Sequence, residues 1–194
     1  LALRQRVRPM LDAMAEAMDL TAILGARENL SIVFLEMSRP PRSLLTVNTT
    51  PGSLVPLAST AIGLAYLVGA PLGERTQLIS DLQRQHPEDW DRMRLTIEQA
   101  HADHATRGFV IHQRPRGGAV SGVGVPLPIP LQGHLAVACA APASEHSRRR
   151  LVEEIGPRVR DDVARMKQNL AQAQEHARAG VHGRGGGRAD PPRS

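Results

Sequence analysis

At 194 residues the chain is long enough for one domain with a sizeable core and short for two. Its formal charge of +5 invites a nucleic-acid reading. Against that, Phe34, Tyr66, Trp90 and Phe109 are the only aromatics, too few for a base-stacking platform, and most arginines alternate with acids along helical segments. Cys139, the single cysteine, excludes a disulfide framework or a cysteine-based zinc site within one chain, while the absence of any apolar run near ~20 residues and of a signal-peptide pattern leads us to expect a cytoplasmic protein without a membrane span.

Leu3, Val7, Met10, Leu11, Met14 and Met18 recur at three- and four-residue steps and predict a helix over 2–18, interrupted by Pro9. Leu20 to Gly25 and Leu30 to Met37 read as a hairpin, and Arg39-Pro40-Pro41-Arg42 as a stiff turn into a third strand, Ser43 to Thr49. Thr49-Thr50-Pro51-Gly52-Ser53 breaks that strand. Ser59 or Thr60 then stands as N-cap before Ala61-Ile62-Gly63-Leu64-Ala65-Tyr66-Leu67. A second helical pattern runs through Leu78, Ile79 and Leu82, and a third runs to about Arg107 with Trp90, Met93, Leu95 and Ile97 partly buried. Gly108 stops it.

Phe109 to His112 reads as a strand and Ala119 to Leu127 as another, with Ala119, Ser121, Val123 and Val125 on one face and Val120, Gly122 and Gly124 on the other. Glycines inside a strand mark a bulge or a close approach, either by a neighbouring helix or by a ligand. Leu135 to Ala141 is the last strand. Ser144 or Ser147 opens a final helix whose Leu151, Ile155, Val159, Val163, Met166 and Leu170 keep one apolar face, with Gly156-Pro157 as a bend. The order of helix, three strands, three helices, three strands and helix describes an α+β fold with helices on the faces of a six-stranded antiparallel sheet. Residues 1–175 form the domain, and 176–194 are expected to be a disordered Gly/Pro/Arg-rich tail. A first residue of Leu1 fits a piece of a longer protein.

The string Val55-Pro56-Leu57-Ala58-Ser59-Thr60-Ala61-Ile62-Gly63-Leu64-Ala65 resembles a motif that follows the third strand in the effector-binding domain of IclR-type transcriptional regulators. Thr106-Arg107-Gly108-Phe109 resembles that family's turn after the third helix, and Val120 to Pro126 with Leu135 to Ser144 its closing strand pair and helix entry. The resemblance covers residues of about 1 to 170. It implies a GAF-like domain that binds a small-molecule effector and controls a winged helix-turn-helix, with homodimers or tetramers as the working form. No helix here carries a major-groove recognition face, so DNA is expected as a partner only through a domain absent from this chain.

By family position the pocket is expected to be lined by Val47, Val55, Ala61, Ile62, His112, Val120, Gly122, Cys139 and Ala141, with the backbone N–H groups of Ala61 and Ile62 as anion donors. The sequence departs from the family at Leu64, where a lysine is usual, and at Cys139 and Ala141, assigned to positions where serines are usual. Those changes make the pocket more apolar and point to a hydrophobic or aromatic carboxylate. The alternative is a dimerisation or interaction module with a vestigial pocket. An enzyme is the weaker reading: His86, His101, His104 and His112 include candidates for a base, and His101-x-x-His104 could share a metal, but no nucleophile elbow, phosphate loop or dinucleotide fingerprint is present. No cofactor is expected.

Overall fold

The computed structural model describes residues 2–40, 49–113, 120–129 and 133–182. In chain order the elements are α1 (Ala2–Met18), β1 (Thr21–Glu28), β2 (Ser31–Ser38), β3 (Leu54–Pro56), α2 (Ala61–Gly69), α3 (Leu72–Gln85), α4 (Trp90–Arg107), β4 (Val110–His112), β5 (Val120–Ile129), β6 (Gly133–Pro142), α5 (Arg148–Arg150), a π-helical turn (Leu151–Ile155) and α6 (Gly156–His182). The strands form one sheet in the order β3-β2-β1-β6-β5-β4, with every neighbouring pair antiparallel. This is the six-stranded α+β arrangement expected from the element order.

The sheet separates two apolar layers. Val7, Leu11 and Met14 of α1 and Val159, Val163, Met166 and Leu170 of α6 pack on one face, against Leu24, Val123, Val125 and Val137. On the other face α2 brings Ile62, Leu64, Ala65 and Leu67, backed by Leu78 and Leu82 of α3 and Ile97 of α4, against Ile23, Ile32, Phe34, Ala136 and Ala138. α1 and α6 contribute the apolar stripes that their three- and four-residue spacing predicts, whereas α2 is buried all round from Ala61 to Val68. Leu95, expected to be partly buried, is instead exposed, because it falls on the charged side of α4.

A bulge in β2 sets the register on the α1 side. Leu24 pairs with Glu36 and Gly25 with Phe34, so Leu35 is an extra residue and Glu36 turns to the face opposite Phe34. There the buried carboxylate accepts from Arg4 Nε at 2.7 Å and Arg8 Nη1 at 3.2 Å, which ties α1 to the sheet.

Three further expectations change. The strand expected at Ser43 to Thr49 falls largely on 41–48, outside the described residues; the third described strand is Leu54–Pro56, and it follows the Pro/Gly turn instead of preceding it. That turn is closed by Ser53 N–H to Thr50 O at 2.9 Å, with Gly52 at φ 94°, a value that favours glycine. At Gly156-Pro157, expected as a bend, the helix runs on from a π turn, Leu151–Ile155, into α6. The π turn immediately before it widens the backbone where Pro157 has no N–H to give and its ring crowds the preceding turn. Finally, α6 continues to His182, past the expected boundary at 175, while 183–194 lie outside the described residues.

α2 and β5 approach each other at backbone distance. A Cβ at Gly124 would stand 2.3 Å from Ala61 O and 2.8 Å from Ala65 Cβ, so helix and strand meet backbone to backbone. Gly124→Ala is expected to lower the unfolding free energy by about 1–3 kcal/mol through overpacking. Gly73→Ala, in an α3 position where an added Cβ meets nothing within 4 Å, is expected to raise it by about 0.5–1 kcal/mol. Urea midpoints at constant m-value distinguish the two.

Candidate functional site

The candidate site comprises the start of α2 and the sheet beneath it. Thr60, in extended conformation, is the N-cap: its Oγ1 accepts from Gly63 N–H at 3.1 Å and donates to Pro56 O at 2.8 Å. One hydroxyl therefore joins the end of β3 to the beginning of α2. Ala61 and Ile62, the first two residues of the helix, have no intrahelical acceptor for their N–H groups and stand at its positive end.

Strand pairing arranges the floor in rows. His112 of β4 lies opposite Gly122 of β5, Gly122 opposite Ala140 of β6, and Ala140 opposite Thr21 of β1. The next row is Val110, Gly124, Ala138 and Ile23. Both rows face α2, and Ala61 sits over the glycines: a Cβ at Gly122 would lie 3.2 Å from Ala61 Cβ. The glycine face read from the sequence is therefore occupied, along most of its length, by a helix.

Of the residues expected to line a pocket, Ala61, Ile62, Gly122, Val120 and His112 gather on this side of the sheet. Val55 of β3 packs against the same apolar layer. Val47 lies outside the described residues. Cys139 and Ala141 do not join them. They point to the opposite face, among Ala22, Val123 and Val137 under α1 and α6, and each is almost fully buried. Burial, with a smaller contribution from Asp162, pushes the Cys139 thiol up to about 12, so it behaves as a small neutral hydrophobe.

Near the start of α2 the β6 residues that face it include Ala138 and Ala140, and the β1 residues include Thr21 and Ile23, none of which sequence reasoning singled out. In a strand, a shift of one residue exchanges the two faces. A signal was available in the alternation Ala136, Ala138, Ala140 against Leu135, Val137, Cys139, since alanine at every second position marks the face that a helix approaches closely.

At the far end of α2 a polar network fixes the helix. Tyr66 OH donates to Glu74 Oε1 at 2.7 Å, Arg27 Nε donates to the same oxygen at 2.9 Å, and His134 Nε2 lies 3.0 Å from Tyr66 O. Burial and the bond to Glu74 push the Tyr66 phenol up to about 12. Burial works to raise Glu74, but hydrogen bonds from Tyr66 and Arg27 outweigh it and hold the carboxyl below its ordinary value. Burial also lowers His134, partly offset by its bond to Tyr66.

The His101-x-x-His104 pair does not recruit Asp103. That carboxylate is buried, with Oδ1 accepting from Arg107 at 2.8 Å and Gln99 at 3.1 Å, and Arg148 lies 3.9 Å from Oδ2. Among the described residues no three His, Cys, Asp or Glu side chains gather as a metal-binding set. A separate open depression of about 390 Å³ lies between α1 and β2, bordered by Arg4, Gln5, Arg8, Pro9 and Glu36. It is on the other face of the sheet from α2.

The family pattern described as bacterial transcriptional regulator IclR C-terminal matches residues 1–100. The chain belongs to the IclR family. Within that family it is similar to the HTH-type transcriptional regulator TsaQ1/TsaQ2 of Comamonas testosteroni, 34% identical over 177 residues, which are 90% of this chain and 63% of the relative. The chain thus spans less than two thirds of that relative's length.

An IclR family transcriptional regulator from Brucella abortus has the same fold at a TM-score of 0.77 and 27% identity, covering 89% of this chain and 64% of that one. The PobR inducer-binding domain from Acinetobacter, a double mutant in complex with 3-hydroxybenzoic acid, shares the fold at a TM-score of 0.65 and 13% identity, over 84% of this chain and 96% of that one. As a member of the IclR family, this chain is the C-terminal, effector-binding type of domain. No helix among its described residues is long and apolar enough to cross a membrane.

The depressed His134 has a definite consequence for stability. The unfolded chain takes up a proton near pH 6.5 whereas the folded chain resists it until lower pH, so stability is complete above about 6.5 and falls as pH drops from there toward the lowered folded value. His146, also lowered by burial and by neighbouring Arg150, acts in the same direction. Chemical denaturation between pH 7.5 and 5.5 is expected to show declining stability, and His134→Gln a shallower decline.

Proposed function

We propose that this IclR-family domain binds a small hydrophobic or aromatic carboxylate at the N-terminus of α2, and that occupancy controls DNA binding by a winged helix-turn-helix domain upstream in a homodimer or tetramer. The observation that carries this reading is the pair of helix-start N–H groups, Ala61 and Ile62, poised over a sheet row whose middle residues are only Gly122 and Ala140. A carboxylate is favoured at such a helix end by the backbone donors and by the dipole. The surroundings supply apolar contact from Ile62, Val55 and Val120. His112, at the edge of the same row, is the nearest titratable group by strand position and offers either a donor or a positive charge to the same anion.

The apolar character supports a ligand larger and greasier than a two- or three-carbon keto acid. Leu64 supplies no charge beside the helix start, and Ala138 and Ala140 add no hydroxyl to the floor. The complex of the PobR domain with 3-hydroxybenzoic acid shows this fold holding an aromatic acid in another protein, and that chemistry suits the corner described here.

Calorimetry with benzoates against pyruvate and glyoxylate tests the ligand class. Binding of the keto acids without the aromatic acids would overturn it. The role of the helix start is tested by Ala61→Pro. Proline is compatible with the first helical position, and Thr60 before it is already extended at φ −137° and ψ 152°, so the substitution removes one N–H donor and little else. A carboxylate is expected to bind about tenfold more weakly to Ala61→Pro, corresponding to the loss of one charge-assisted hydrogen bond, while the melting temperature of the free domain changes little.

A further inference from the structure

We propose that the depression between α1 and β2 is a second binding site of this domain, and that it takes a small organic phosphate through Arg4 and Arg8. It lies on the face of the sheet away from α2, so it stands or falls independently of the reading given to the start of that helix.

The site begins with the bulge at Leu35. By adding one residue to β2 it turns Glu36 toward α1, where the carboxylate is 6% exposed and needs a cation beside it. A single arginine can meet that need, with two nitrogens of one guanidinium on the two oxygens. Here the oxygens are divided. Oε1 accepts from Arg4 Nε at 2.7 Å and Oε2 from Arg8 Nη1 at 3.2 Å, while Arg4 Nη2 also donates to Leu35 O at 2.6 Å.

A guanidinium carries more N–H groups than these bonds use, so among the described residues both arginines keep donors for a further acceptor. Both side chains are about half-exposed and both border the depression. Two positive charges therefore stand against the one buried carboxylate. Asp12 is 4.0 Å from Arg8 Nε, but that pair is exposed and screened by water. Glu36 and the Leu35 carbonyl hold the two guanidiniums in place before any ligand arrives, which lowers the ordering cost of binding.

The remaining lining gives the class. Pro9 stands inside α1 and has no N–H for the carbonyl of Gln5 four residues earlier, and both residues border the depression. The cations thus have an apolar ring and a polar residue beside them. A volume of about 390 Å³ falls within the ~300–1,000 Å³ of small-molecule sites and exceeds what inorganic phosphate fills. A terminal phosphate has three oxygens to share between two guanidiniums, whereas a carboxylate has two in one plane and is matched by one fork. The pair accordingly favours a phosphomonoester, with its organic part against Pro9 and the aliphatic stems of the arginines.

Calorimetry on the full chain with phenyl phosphate at low salt is the test. A submillimolar dissociation constant that rises with ionic strength is expected, and no binding at about 10 mM would overturn the proposal. Arg8→Gln, which leaves the bond from Arg4 to Glu36, is expected to weaken phenyl phosphate about tenfold, and unchanged affinity would overturn it. Ala61→Pro is expected to leave phenyl phosphate unaffected. Loss of binding in Ala61→Pro with retention in Arg8→Gln would place the phosphate at α2 and overturn the second site. Benzoate is expected to bind with an affinity that Arg8→Gln leaves unchanged; an Arg8-dependent affinity at or above that of phenyl phosphate would overturn the phosphate class. Should Arg8→Gln lose its cooperative melt, the side-chain Nε–H resonances of Arg4 and Arg8 in the unmodified protein still decide, since phenyl phosphate is expected to shift both and the absence of any shift would overturn the site.

Discussion

Everything in this domain depends on how closely α2 can lie on β5. Gly124 lets the carbonyl of Ala61 approach to a distance that any side chain would block, and Gly63 does the same for the Leu57 carbonyl on the helix's other side, where an added Cβ would come within 2.1 Å. Two glycines on different elements thus hold α2 between the sheet and the loop that enters it. The contact is backbone against backbone, so it leaves little freedom of rotation or slip. It is what aims the start of α2 at the row beginning with His112.

From that constraint the two ends of α2 acquire different characters. Its first turn presents free N–H groups to an apolar corner, with the Thr60 hydroxyl spent on Gly63 and Pro56. Its last turn is fastened by Tyr66, Glu74, Arg27 and His134, a network joining α2, α3, β1 and β6. A helix anchored at one end and close-packed along its length keeps its other end in place, the preorganisation that the proposed binding of a ligand there requires. The link through Thr60 to β3 gives that same end a connection to an edge of the sheet.

Much of this was legible in the residues. The apolar stripes of α1 and α6, a cap at Ser59 or Thr60 that the structure assigns to Thr60, the left-handed stop at Gly108 and the two faces of β5 follow from local periodicity and from side chains that bond to their own backbone. Other features were misread where the local pattern is silent. β6 is buried on both faces, so it lacks the polar and apolar alternation that reveals orientation, and Cys139 and Ala141, expected in the pocket by family position, lie on the α1 and α6 face. The bulge at Leu35 likewise leaves no clear mark in the run Ile32-Val33-Phe34-Leu35, although it decides where Glu36 points.

The amino-acid sequence by itself therefore determined the kinds of elements, their order and the apolar faces of α1 and α6, because these depend on interactions between residues a few positions apart. Only the tertiary structure decided which strands are neighbours, which face of β6 lies under α2, and that Thr21 shares a row with Gly122 although a hundred residues separate them. Those relations come from hydrogen bonds and packing between distant segments. A single-residue change of register would exchange the faces and the row partners while leaving the local pattern the same.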